Sequence, residues 1–332
     1  MLSWTGVILA GLLNGTFAVP LKTARTWKFN HVWTFHSLLS MGVIPWIVAI
    51  VAVPHWLGIV ARIQPRGWLI LIGWGLLFGI ASLLYGVAVD LLGIALGFAI
   101  QLGLSIVLGA LAPMVWAGAF RLQSTADWLF LLGLALMVLG VILCAQAGGK
   151  KENSGESNPA RFRLGLLIAL IGGVLAPTLN FGIQYGTDLL RQTSEVPANQ
   201  IFPVDIYLAW AVFLCAAAVV QAGYCFSRVV SDHSLGIFRQ GMASLDALQV
   251  TAMSLLWISS VFMYGRSAFG LGRLGNSFGW PIFVALIILT SNVWGVVLGE
   301  WKNATSAAFY RMLGGSGVLI VAAFVIGQSQ RG

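Results

Sequence analysis

Charge is what this sequence most conspicuously lacks. Asp, Glu, Lys and Arg make up 8% of 332 residues, about a third of the roughly 25% usual in soluble domains. Too few charged groups are present to coat a water-facing surface, which excludes a soluble enzyme and a disordered chain. Cysteine is also scarce. The three present (Cys144, Cys215, Cys225) stand singly in apolar runs, a spacing that suits small core residues and neither a disulfide framework nor a metal site. The formal charge of +8 comes from Lys and Arg scattered over the polar segments with no basic-aromatic patch, so no nucleic-acid partner is expected. The opening Met1-Leu2-Ser3-Trp4 carries no basic n-region, so no cleaved signal peptide is expected.

What is abundant is apolar sequence, 59% of the chain. A helix crossing the hydrocarbon needs about 20 mainly apolar residues. Ten segments qualify: 3–20, 33–53, 68–89, 93–119, 128–147, 164–185, 204–226, 245–269, 275–299 and 308–327. Only Asp205, Asp246, Arg266 and Arg311 among the formal charges fall inside them, each within four residues of a segment end, where side chains reach the interface. The runs show no strict alternation, which argues for helices over an outer-membrane barrel. The expected fold is therefore an all-α integral membrane protein of ten transmembrane helices, with the lipid bilayer as its first partner.

The longest polar stretch divides the chain into a first five-helix repeat (1–147), a linker (148–163) and a second five-helix repeat (164–332). Shifting the sequence by 179 residues lays Tyr85-Gly86 on Tyr264-Gly265 and Gly93 on Gly272. A shift of 181 lays Gly118-Ala119-Phe120-Arg121 on Gly299-Glu300-Trp301-Lys302. A repeat of five spans is odd, so its second copy enters the membrane from the opposite side. The result is an inverted 5+5 repeat whose shared cavity lies near the midplane. Connections 1–2, 5–6, 7–8 and 9–10 hold eleven Lys and Arg against seven on the other face. The positive-inside tendency then makes the linker cytoplasmic and places both termini outside.

Polar side chains within apolar spans need partners or a wet cavity. The candidate substrate residues are Asn14, Tyr85, Gln101, Asn180, Gln184, Trp257, Tyr264 and Trp280. Gln101 and Ser105, like Asn180 and Gln184, are four apart and share a helix face. Neutral amides and hydroxyls beside Trp and Tyr suit a polyhydroxylated neutral ligand; the competing role for each is hydrogen-bonded glue between helices. Trp4, Trp27, Trp33, Trp46, Trp68 and Trp128 lie near span ends and read as an interfacial belt. Gly11/Gly15, Gly75/Gly79, Gly93/Gly97, Gly182/Gly186 and Gly295/Gly299 read as small-residue pairs for close helix approach, and Pro45, Pro113, Pro177 and Pro281 as kinks.

Gly270-Leu271-Gly272-Arg273-Leu274-Gly275 fits a dinucleotide-binding spacing but joins two membrane helices and follows no strand, so it is set aside. No HExxH, GxSxG or P-loop occurs, so the chain is read as no enzyme, with no cofactor and no metal, and its energy source must be a gradient. The candidates for a proton-coupling group are His36, Asp90, Asp246 and Glu300.

Several runs taken together resemble the L-rhamnose–proton symporter family of the drug/metabolite transporter superfamily. They are Pro20-Leu21-Lys22 with Trp27 and Trp33, then Pro45-Trp46, Tyr85-Gly86, and Leu92-Gly93 with Gly97, Gly103, Gly109 and Pro113. Trp257, Tyr264, Trp280 and Glu300-Trp301-Lys302-Asn303-Ala304 complete the pattern. The sequence departs from it at Asn30, where an acidic residue is common, and at Ser260, where Gln occurs. The resemblance implies a cavity lined by spans one to four and six to nine, with spans five and ten peripheral. It also implies inward symport of a deoxy-hexose, L-rhamnose, with a proton across a bacterial inner membrane. An exporter or exchanger of other metabolites, amino acids or drugs is the rival on the same architecture. A non-transporting sugar sensor is the rival from another class, and monomer and homodimer are both left open.

Overall fold

The computed structural model describes residues 2–23, 25–92, 94–116, 118, 122–149, 159–193, 206–241, 243–272, 275–302 and 304–329. These contain helices and no strand. In chain order the helices are α1 (Leu2–Thr16), α2 (Phe29–Ser37), α3 (Ile44–Ala52), α4 (Trp56–Arg62), α5 (Pro65–Leu92), α6 (Ile94–Trp116) and α7 (Thr125–Gly149). There follow α8 (Pro159–Leu175), α9 (Thr178–Thr193), α10 (Ile206–Ser231), α11 (Ala243–Gly270), α12 (Gly275–Val297) and α13 (Ser306–Ser329). Eight helical stretches are long and apolar enough to cross a membrane, with a shorter apolar helix over Ala99–Val115. Residues 150–158 of the linker and Asp205 lie outside the described residues.

Proline sets the departures from uninterrupted spans. The first helix stops at Thr16 rather than at residue 20, and Pro20–Thr23 forms a 3-10 turn; Pro20 has no N–H to give the Thr16 carbonyl, which accepts from Val19 at 2.9 Å instead. The second apolar segment begins at Phe29 and contains a π-helical turn, Leu38–Val43. Pro45 explains it. With no N–H on Pro45, the carbonyl of Met41 lacks its helical donor, and the Ile44 N–H reaches back five residues to Leu39. The sixth segment is two helices, α8 and α9, interrupted at Ala176-Pro177.

The helices assemble into two compact units, each drawing on both halves of the sequence. One comprises Met1–Gly15, Ala81–Pro177 and Ser267–Gly332; the other comprises Thr16–Ile80 and Thr178–Arg266. In the first unit α7 packs along α13, and a Cβ on Gly140 would stand 2.7 Å from Leu319 Cγ and 3.1 Å from the Gly315 carbonyl oxygen. A Cβ on Gly15 of α1 would stand 2.8 Å from the Ile287 carbonyl oxygen of α12. In the second unit α10 packs against α2, α3 and α9. Its wholly buried Phe213 stacks on Phe78 at 5.9 Å. The Gly75/Gly79 and Gly182/Gly186 pairs both meet α10. Lipid tails are as apolar as leucine, so helices are held by such close van der Waals packing rather than by hydrophobic exclusion.

Gly295/Gly299 serves a different purpose. Gly299 has φ +75°, and the Glu300 N–H bonds the Gly295 carbonyl at 2.9 Å. That is the Schellman closure of α12, which favours glycine at its left-handed position.

Candidate functional site

The second unit contains an aromatic enclosure around a histidine. His36, in the last turn of α2, is 0% exposed. Its ring meets Phe17 at 6.1 Å, Trp33 at 5.3 Å and Trp257 at 5.9 Å, the last two edge-on. His36 Nδ1 lies 3.0 Å from Ser254 Oγ on α11, and its buried Nε2 has no hydrogen-bond partner. Around it the α2 backbone is loaded with side-chain bonds: Thr34, Ser37 and Ser40 each donate to the carbonyl four residues back, at 2.6 to 2.7 Å. Such back-bonding loosens a helix, and it leads directly into the π-helical turn. Trp27 is buried in this unit, and Trp33 is half-buried beside His36. Trp27 packs on Phe35 at 5.2 Å and on Phe238 at 5.3 Å.

Farther along the same face of α11, Tyr264 donates its hydroxyl proton to Asn180 Oδ1 of α9 at 2.9 Å, both side chains being buried. Trp257 and Tyr264 are seven residues, two turns, apart and so point the same way. Gln184, which shares a helix face with Asn180, hydrogen-bonds Asp188 on its own helix.

In the first unit, Trp280 of α12 donates its indole N–H to the Ser105 carbonyl of α6 at 2.9 Å, with its ring laid over Gly109. Gln101, one turn before Ser105, is 2% exposed and packs against Gly172 of α8. Its buried Nε2 has no hydrogen-bond partner, nor does the Ser277 hydroxyl one turn before Trp280. Asn14, buried near the end of α1, and Tyr85, half-buried on α5, both engage neighbours. Amide, hydroxyl and indole groups without formal charge dominate both clusters, which suits hydroxyl recognition and the packing of C–H faces on rings.

The remaining coupling candidates lie in different settings. Asp246, in the first turn of α11 and 0% exposed, accepts three backbone N–H bonds, from Arg25 at 2.9 Å, Thr26 at 2.7 Å and Trp27 at 2.8 Å. This arrangement ties the entry of α2 to the start of α11. Glu300 is half-buried in the turn that closes α12. Asp90 is on α5, and its side chain lies outside the described residues. Among the described residues no group of three His, Cys, Asp or Glu is placed to hold a metal ion.

Sequence reasoning did not single out Ser254, because one serine in an apolar helix reads as ordinary glue. The signal available was its spacing. Ser254 stands three residues before Trp257 and ten before Tyr264, on one helical face.

A family described as "L-rhamnose-proton symport protein" matches residues 4–331. Relatives named L-rhamnose-proton symporter include one from Citrobacter koseri, 24% identical over 324 residues, covering 94% of this chain and 92% of that one. The one from Salmonella paratyphi A has the same identity and coverage. The one from Yersinia pestis is 22% identical over 321 residues, again with 94% and 92% covered.

Proposed function

This chain belongs to the L-rhamnose-proton symport protein family, and on that premise we propose that it carries L-rhamnose inward together with a proton. The observation that carries the reading is the family match from residue 4 to residue 331. The matched region includes every polar cluster described above. Uncharged donors and acceptors on indole-lined helices support a neutral deoxy-sugar as cargo. The proposed contacts are the candidates Asn14, Tyr85, Gln101, Asn180, Gln184, Trp257, Tyr264 and Trp280. No nucleotide-binding motif is present to draw on ATP, so a gradient must drive transport, and the family points to the proton.

The architecture proposed is the ten-span inverted 5+5 repeat of the drug/metabolite transporter superfamily, in a bacterial inner membrane. The helices over the apolar segments support it. The enterobacterial relatives support the location.

His36 is proposed as the group that takes the coupling proton. It is buried within an apolar span and keeps one ring nitrogen unengaged, whereas the Asp246 carboxylate is occupied by three backbone donors. The test is accumulation of labelled L-rhamnose by the purified protein in liposomes, with and without an outside-acid pH gradient. Accumulation above the external concentration only with the gradient, blocked by excess unlabelled L-rhamnose and weakly by other neutral hexoses, is expected. Uptake indifferent to the gradient, or preferential exchange of another metabolite class, overturns the proposal.

A further inference from the structure

A serine hydroxyl has one hydrogen to give. Ser254 gives it to the Val250 carbonyl, 2.8 Å away and one turn back on α11. Toward His36, 3.0 Å away, Ser254 therefore offers only lone pairs, and a hydrogen bond between them requires Nδ1 to be the donor. The bond partner at one ring nitrogen decides the tautomer of a neutral imidazole. With the hydrogen on Nδ1, the lone pair is on Nε2, the atom that is buried without a hydrogen-bond partner.

We infer that Ser254 is a positioning residue that holds the proton of neutral His36 on Nδ1 and so makes Nε2 the single proton-accepting atom of the ring. The inference deepens the proposed coupling role of His36 and rests on it. The step balances simply. The Nε2 lone pair binds one proton to give the imidazolium, Nδ1 keeps its bond to Ser254 throughout, and loss of that same proton from Nε2 restores the neutral ring. Neither the ring nor the serine has to turn over between the two states.

Among the described residues, no charged group is recorded against the ring. On α2 the other titratable residue is His31, bonded to the Ser234 carbonyl at 2.9 Å. On α11 they are Asp246, held by backbone donors, Tyr264, bonded to Asn180, and the exposed Arg266. The turn bearing Phe17 leads to the exposed Lys22. On α10, which packs on α2, they are Tyr207, Cys215, Tyr224, Cys225 and Arg228. The neighbours that meet the His36 ring are thus Ser254 and the surrounding aromatic rings.

The experiment is 15N NMR of the full chain labelled at histidine, with H36Q identifying the His36 signals among the four histidines. The wild type is expected to show neutral His36 protonated on Nδ1. S254A is expected to show the other tautomer or a mixture, and S254T, which keeps the hydroxyl, to restore the wild-type pattern. In liposomes S254A should lower gradient-driven L-rhamnose uptake about fivefold, the factor that loss of one ordinary hydrogen bond corresponds to, and displace its pH profile; S254T should restore both. Wild-type His36 protonated on Nε2 would overturn the inference, and this observation needs no variant to fold. An S254A protein with the wild-type tautomer, or one whose uptake falls equally at every pH, would overturn it too, since it would give Ser254 a packing role. Failure of the underlying reading looks different: H36Q would then accumulate L-rhamnose as the wild type does, whatever the tautomer.

Discussion

Replacing Asp246 tests whether its carboxylate holds the structure together or carries the coupling proton. Its two oxygens accept the N–H groups of Arg25, Thr26 and Trp27 at 2.9, 2.7 and 2.8 Å. Hydrogen bonds to a charged group contribute about 1.5–3 kcal/mol each, but Arg25 is exposed and Thr26 only half-buried, so water replaces part of what is lost. Counting about 1 kcal/mol per bond, D246A should destabilise the protein by roughly 3 kcal/mol. D246N can keep the oxygen that serves both Thr26 and Trp27, and its amide turns toward the accessible Arg25 N–H. Neutral bonds are about half as strong as charge-assisted ones, so roughly half of the loss should return. Thermal unfolding in detergent, followed by tryptophan fluorescence, reads the effect directly, since Trp27 is both held by the carboxylate and packed on Phe35 and Phe238. The order wild type, D246N, D246A is expected, with D246N still accumulating L-rhamnose against a gradient. Equal stability of all three, or a folded D246N that has lost proton coupling, would refute the reasoning.

The other predictions concern packing and sugar contact. A Cβ at Gly79 would stand 2.8 Å from the Ala217 carbonyl oxygen and 2.8 Å from Val220 Cβ. G79A should therefore cost about 1–3 kcal/mol through overpacking. G42A, with nothing within 4 Å of the added carbon, should be neutral or slightly stabilising in the same detergent unfolding assay. Y264F removes the hydroxyl bonded to Asn180 at 2.9 Å and should raise KM for L-rhamnose about fivefold. A KM unchanged from wild type, with transport intact, would remove this pair from the sugar site.

Much of the helical pattern was legible because an apolar run of some twenty residues has few other solutions in lipid. The departures share a cause in proline, whose missing N–H acts on backbone several residues away. Pro45 was visible in the sequence, yet whether it kinks its helix or shifts it into a π turn depends on where the freed carbonyl finds a donor. The pattern of apolar residues does not record that choice. Pro177 was read as a kink, and the helix breaks there for two residues before it resumes at Thr178. Gly295 and Gly299 have the spacing of a packing pair, but the left-handed φ of Gly299 shows that it closes a helix.

For the site, single residues were legible and their pairings were not. His36 and Asn180 stand out as polar side chains in apolar sequence. Tyr264 and Asn180 are 84 positions apart, and His36 and Ser254 are 218 apart. Helical periodicity says which residues share a face, but it carries no information about which face of another helix they meet. Trp27 and Trp33 make the same point: proximity to a span end suggested lipid headgroups, and it did not show that their rings pack on Phe35 and His36.

The central claim is that sugar and proton cross together, and the most direct measurement is proton movement caused by the sugar. De-energised liposomes containing the protein, placed in weakly buffered medium, receive a pulse of L-rhamnose while external pH is recorded. An immediate alkalinisation that follows the L-rhamnose concentration and is abolished by a protonophore is predicted. L-rhamnose entry with no change in external pH would contradict it.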